Sequence, residues 1–300
     1  MKRSAIDVIR RGFENALANW PVILFRIAEG VVFGVIVIGA IIAAVIPVLV
    51  TAGFSKDVDY RNPENVAALI VGLFVEHWIL VLYLLALFTL LLGVLIAVHS
   101  FVEAGCARIY IDGERKPGFK AFAADRWYRG GVGGWWAVFW IYNLAWSVGA
   151  LVLLGPLVLT LAGMLAVSGA AGRVAIGCAG LGFTLLLLLP TAILIGMWTQ
   201  KAIAVGIART LGAVEALRAA RREIKLDFGR HIAVMLVLMV IGFGAAMVIS
   251  SMSFPLSFGD YRRVSFFPMQ IALSFVQSMA SAAVHAWSLA SFVALTEERS

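Results

Sequence analysis

Apolar and polar residues occupy this chain in long alternating blocks, not at the short periods of a water-soluble domain. Six apolar runs, roughly 21–50, 76–101, 134–161, 174–198, 231–250 and 269–295, are each long enough to cross a hydrocarbon core. Such a crossing takes about 20 helical residues. Between runs lie segments whose cations sit off an apolar helical stripe. Ile6, Ile9, Phe13, Ala16 and Trp20 form one stripe, with Arg10, Arg11 and Glu14 off it. Val214, Leu217, Ile224 and Phe228 form another, against Arg218, Arg222 and Lys225. The pattern predicts an all-α polytopic membrane protein. It would be one integral membrane domain over residues 1–300, with six transmembrane helices and amphipathic interfacial helices.

Local signals refine this outline. The first run is overlong, which predicts tilt or a start in the interface. Asn62-Pro63-Glu64 reads as a helix start, so residues 67–75 form a short helix outside the membrane or extend the second span. Gly155-Pro156 and Pro190 predict kinks in spans three and four. The glycines of 130–134 predict a break before Trp135-Trp136, and Gly30 and Gly34 mark close helix packing.

Composition excludes the soluble alternative. Hydrophobic residues make up 62% of the chain and charged residues 14%, with mean hydropathy +0.97. A soluble domain carries about a quarter charged residues. The net charge of +7 and pI near 9.7 raise the question of nucleic acid. The cations gather at the ends of apolar runs instead, which points to anionic lipid headgroups and away from nucleic acid. Each well-placed Lys or Arg gains about 1 kcal/mol there. The first run far exceeds the roughly 7–15 residues of a signal-peptide core, so it is expected to be a retained span.

Charge also predicts orientation. The N-terminal segment, the connections after spans two and four and the C-terminal tail hold eighteen Lys and Arg. The other three connections hold five: Lys56, Arg61, Arg173, Arg262 and Arg263. The positive-inside rule then places both termini in the cytoplasm, in a bacterial or archaeal plasma membrane. Cys106 and Cys178 fall at opposite faces, about 30 Å apart, which excludes a disulfide between them.

The order of basic amphipathic segment, span, outer loop and span recurs from Ile6, Phe119 and Val214. It divides the chain into three parallel two-span repeats, 1–112, 113–211 and 212–300, related about an axis along the membrane normal. The basic helices 6–20, 105–122 and 200–228, with their Trp or Phe at the start of a span, resemble a broad prokaryotic group. It comprises the membrane-domain family fused to some glycerophosphoryl diester phosphodiesterases and related stand-alone six-span proteins. The resemblance implies architecture only, because the fused hydrolase domain has no counterpart here.

Ionisable groups at bilayer depth are candidate functional residues. Ser274, Ser278, Ser281, His285 and Ser288 share one face of span six, with Gln277 beside it. That face predicts helix packing through small hydroxyls, or a proton or substrate path gated by His285. His99 and Glu103 lie one turn apart on span two, and Arg26 and Glu29 three residues apart on span one. Each pair is spaced to touch along its own helix. Asn143 and Lys201 are candidate partners for either cluster. No metal or cofactor is expected: Gly177–Gly182 follows no strand, and no Ser-His-Asp set, paired carboxylates or CxxC is evident.

The leading expectation is a non-enzymatic membrane protein acting through lipid or protein contacts at its cytoplasmic helices. Arg10, Arg11, Arg218, Arg221, Arg222 and Lys225 would carry those contacts. The alternative is a transporter or permease component with a polar path along the His285 face. In that case the helix at 213–225 docks a protein partner.

Overall fold

A computed structural model of the chain describes residues 3–52, 76–257 and 267–298. Residues 62–64 and 67–75, with Lys56, Arg61, Arg262 and Arg263, lie outside the described residues. Among the described residues there are eight α-helices and no strand. They are α1 (Ala5–Ala18), α2 (Pro21–Ala52), α3 (Trp78–Glu114), α4 (Ala124–Ala166), α5 (Ala170–Arg209), α6 (Ala213–Leu226), α7 (Phe228–Ser257) and α8 (Phe267–Glu297). Six of them, all but α1 and α6, are long and apolar enough to cross a membrane. The protein is an all-α multi-pass membrane protein. Leu85, Leu159, Leu186 and Val240 are all well exposed, an arrangement that water would penalise and lipid does not.

The long helices overshoot the bilayer. With 37 residues, α3 extends about 55 Å, well past a core of about 30 Å. Its far end carries the polar stretch Glu103–Glu114. The short helices have defined ends. Ser4 caps α1: its hydroxyl oxygen accepts from the Asp7 N–H at 3.1 Å, and Asp7 accepts from the Ser4 N–H.

The glycines of 130–134 do not break a helix, because α4 runs unbroken through them. The expectation priced glycine as in water, where its flexibility costs about 1 kcal/mol. Here the glycines let other chains approach. A Cβ on Gly131 would meet the Phe101 ring at 2.8 Å, and one on Gly134 would meet Ala104 and Ile207. Pro156 and Pro190 also lie inside continuous helices.

The chain divides into two compact units. The first comprises residues 1–27 and 100–300, the second residues 28–99. In the second, the Tyr83 hydroxyl donates to the Ala43 carbonyl at 3.1 Å. In the first, Val138, Ile141, Ile203, Leu289 and Phe292 lie in a continuous buried core. Against it α1 packs on α8: the Trp287 indole donates to the Ile9 carbonyl at 2.7 Å and meets Phe13 edge-on. The termini meet as well. The Arg3 N–H donates to Glu298 at 2.6 Å, and Arg230 reaches both the Arg3 carbonyl and Glu298. An even number of crossings brings both ends of a chain back to one side, as this contact requires.

The α1 stripe divides. Ile9 and Ala16 are buried with Val8, Gly12 and Asn15, whereas Ile6, Phe13 and Trp20 are exposed. Of the three repeated basic segments, the outer two are α1 and α6, each of 14 residues. The middle one forms no separate helix, because residues 120–123 are not helical and α4 begins at Ala124.

Candidate functional site

Two polar clusters lie inside the first unit. In one, Arg26 of α2 forms an ion pair with Glu103 of α3, and both side chains are almost fully buried. His285 of α8 places Nδ1 3.9 Å from the same Glu103 carboxylate. The Gln200 side chain of α5 lies 3.5 Å from His285 Nε2. Four helices therefore bring one cation, one anion, one imidazole and one amide together among apolar surroundings. A paired, desolvated charge set can hold a proton or a small polar solute. It can also simply fix helix register.

The second cluster pins α6 to the rest of the unit. Lys201, with no exposed surface, donates to the Thr296 hydroxyl at 2.8 Å and lies 2.8 Å from Glu223. Arg209 meets the other Glu223 oxygen at 2.6 Å. Burial pushes the Glu223 carboxyl up, but Lys201 and Arg209 together outweigh that and hold it below the ordinary 4.5. The Trp198 indole adds a bond to the Leu217 carbonyl at 2.9 Å. Ala216, Leu217, Ala220 and Ile224 are buried by this docking, so α6 lays these residues on protein, while Val214 and Leu226 stay exposed. Arg218, Arg221, Arg222 and Lys225 are exposed, and none is in an ion pair among the described residues. At intervals of three, one and three they share one helical face.

The remaining candidates fall in distinct places. Arg10 is exposed and pairs with Glu14 on its own helix at 3.0 Å. Arg11 is held at 2.6 Å by the buried Glu114 and covers the Phe119 ring, so it serves packing. Spacing paired Arg26 with Glu29 and His99 with Glu103. The structure instead pairs Arg26 with Glu103 and, in the second unit, His99 with Glu29 at 2.5 Å. Sequence distance along a helix does not encode which neighbouring helix faces a given turn.

Asn143 stays apart, donating to the Phe139 carbonyl of its own helix at 2.8 Å. On α8, Ser274, Ser278 and Ser281 are exposed, Ser288 is half-buried, and Ser278 bonds back to the Ser274 carbonyl at 2.9 Å. The continuously buried part of that helix runs from Leu289 to Thr296. Cys106 is buried, Cys178 is exposed, and neither is in a disulfide.

Sequence reasoning missed a clamp built from Asn15 and Asn19. The Asn19 side-chain oxygen accepts from the Ala121 and Phe122 N–H groups at 2.9 and 2.8 Å. Its amide donates to the Phe119 carbonyl at 2.7 Å and to Asn15. Asn15 in turn donates to the Tyr110 carbonyl at 2.9 Å. The turn held this way places Gly118 and Phe119 at positive φ, 70° and 60°. The one available signal was the pair of asparagines four apart at the end of a helix otherwise apolar on that side.

No family model, curated protein or solved structure matches this chain.

Proposed function

We propose that this is a non-enzymatic membrane protein of a bacterial or archaeal plasma membrane, with both termini cytoplasmic, that presents a fixed basic face to anionic lipid headgroups. The observation that carries this reading is the split of α6. Ala216, Leu217, Ala220, Ile224 and Glu223 are engaged by protein, while Arg218, Arg221, Arg222 and Lys225 project together on the other side. In this reading α6 is an amphipathic helix whose orientation is set by the bundle, so its cations need no folding on arrival at the membrane. Each contributes about 1 kcal/mol at an anionic surface. The likeness to stand-alone six-span proteins supports the architecture and adds no activity.

The test is reconstitution of the full chain into nanodiscs of mixed phosphatidylcholine and phosphatidylglycerol. The lipid retained on extraction into mild detergent is then quantified. The variant with all four cations changed to Gln should lose the enrichment in phosphatidylglycerol. Undiminished enrichment overturns the reading. Reporter fusions at positions 115 and 220 test orientation, and activity on the periplasmic side would reverse it.

A second reading, a transporter or permease component, is favoured by the convergence of Arg26, Glu103, His285 and Gln200 beside the exposed Ser274, Ser278 and Ser281. Cysteines placed along that face, in a background lacking Cys106 and Cys178, would react with a membrane-impermeant thiol reagent if water follows it. Uniformly unreactive positions favour packing.

A further inference from the structure

A cavity of about 700 Å³ opens between the end of α3, the start of α4 and the turn joining α5 to α6. Its charged lining is Arg108, Asp112, Arg126 and Arg129, three cations against one anion. Arg108 is 3.4 Å from Asp112, a long contact, whereas Arg129 is hydrogen-bonded to Asp125 one turn earlier on its own helix. Arg126 is exposed and in no ion pair among the described residues. The cavity therefore keeps uncompensated guanidinium charge.

Two features make it a receptacle and not merely a basic patch. Part of its wall is backbone: Gly133 lines it, and a Cβ built there meets nothing within 4 Å. Gly212, at the opposite wall, is the N-cap of the 14-residue α6 and supplies no side-chain cap. The first N–H groups of that helix therefore have no side-chain acceptor there and favour an anion at that end.

We propose that this cavity binds a phosphate group. Guanidinium forks match the paired oxygens of a phosphate, and the helix end adds donors of the same sense. Asp112 can accept from a hydroxyl on the same ligand. A lipid headgroup and a free phosphate share this chemistry. The site is separate from the α6 cation face and does not depend on it.

The experiment uses the full chain in phosphatidylcholine nanodiscs, titrated with dioctanoyl phosphatidic acid, inorganic phosphate and dioctanoylglycerol. Binding is read by tryptophan fluorescence and calorimetry. A phosphate-bearing probe should saturate one site, and dioctanoylglycerol should not. Arg108→Gln and Arg126→Gln should each weaken binding about tenfold, the loss of one charge-assisted contact. Gly133→Leu, whose side chain enters open space, should abolish binding while the thermal midpoint stays unchanged. The fourfold Gln variant of α6 should lose only the non-saturating association of anionic lipid with that face and keep the saturable site. Displacement of phosphatidic acid by inorganic phosphate at comparable concentration assigns the site to a free phosphate, and failure to displace assigns it to lipid. No saturable binding of either phosphate probe, or full binding by Gly133→Leu, overturns the proposal.

Discussion

The wholly buried Lys201 holds its ammonium 2.8 Å from a carboxylate oxygen of Glu223, across the junction of α5 and α6. The two residues are not equivalent. Glu223 is shared with a second cation, Arg209, whereas Lys201 meets the Glu223 carboxylate and the neutral hydroxyl of Thr296. Glu223→Gln should therefore cost about 3–5 kcal/mol, the range for stranding one buried charge. Lys201→Met keeps the aliphatic stem and leaves Glu223 with Arg209, so it should cost clearly less. Equilibrium unfolding in mixed SDS micelles compares them. Equal losses would contradict the asymmetry.

The same carboxylate gives a pH dependence. Its folded pKa lies below the ordinary 4.5, so the unfolded chain binds the proton more readily. Its contribution is complete above pH 4.5 and is lost as pH falls through the depressed folded value. Acidification from neutral pH should leave this contribution intact down to about that ordinary value, and only then erode it. Thermal midpoints of the parent and Glu223→Gln should converge below pH 4.5. A gap that persists unchanged to the most acid pH would show that the ionised carboxylate is not what Lys201 needs.

Asn19 is expected to be as sensitive as any charged residue. Asn19→Ala strands the Ala121 and Phe122 N–H groups, which at about 1–3 kcal/mol each predicts a loss of about 2–6 kcal/mol. Asn19→Asp keeps those two bonds but turns an oxygen toward the Phe119 and Asn15 acceptors. Protonation restores a donor at that position, which raises the folded pKa of the new carboxyl. Its stability should be best below the unfolded Asp pKa and fall as pH rises through the raised folded value. Thermal melts of this variant from pH 4 to 8 should thus slope opposite to the Glu223 effect, and a flat profile would count against the clamp.

The spans were legible because lipid imposes a long, uninterrupted apolar run that nothing else in the chain imitates. The division of the α1 stripe was not. Ile9 faces protein and Ile6 faces outward, yet both environments accept isoleucine, so periodicity cannot separate them. The pairing of Arg26 with Glu103 was hidden for a different reason: it depends on how two helices are rotated and at what depth they cross. The glycines of α4 were read as a break because their meaning lies in Phe101, Ala104 and Ile207, which pack against them from other segments. Lys201 is visible as a cation at the end of an apolar run, but nothing in the sequence separates Glu223 from the other charged residues of α6.

Gly12 marks the closest approach of α1 to α8. A Cβ there would lie 2.2 Å from the Ser291 hydroxyl and 2.7 Å from its backbone nitrogen. In an open helix Gly→Ala stabilises by about 1 kcal/mol. Here Gly12→Ala should destabilise, because backbone cannot yield as a side-chain tip can. Adding Ser291→Gly removes the hydroxyl but not the backbone clash, so rescue should be partial. Full rescue, or a stabilised single variant by thermal melting, would contradict the close docking.

Arg26 and Glu103 test whether the buried cluster is there for stability. Removing one partner, as in Glu103→Gln or Arg26→Gln, leaves the other charge desolvated and should cost about 3–5 kcal/mol. The double variant Arg26→Met with Glu103→Leu replaces both by apolar groups of similar volume, and should recover most of that loss. His285 lies 3.9 Å from the same carboxylate, so the double variant also removes an anion beside the imidazole. If the cluster only fixes packing, the double variant should keep the folded stability of the parent and its lipid retention. If it forms a polar path, folding should survive while thiol accessibility at Ser278→Cys and Ser281→Cys drops. A double variant no more stable than the singles would mean the ion pair itself, not the avoidance of a lone charge, holds these helices together.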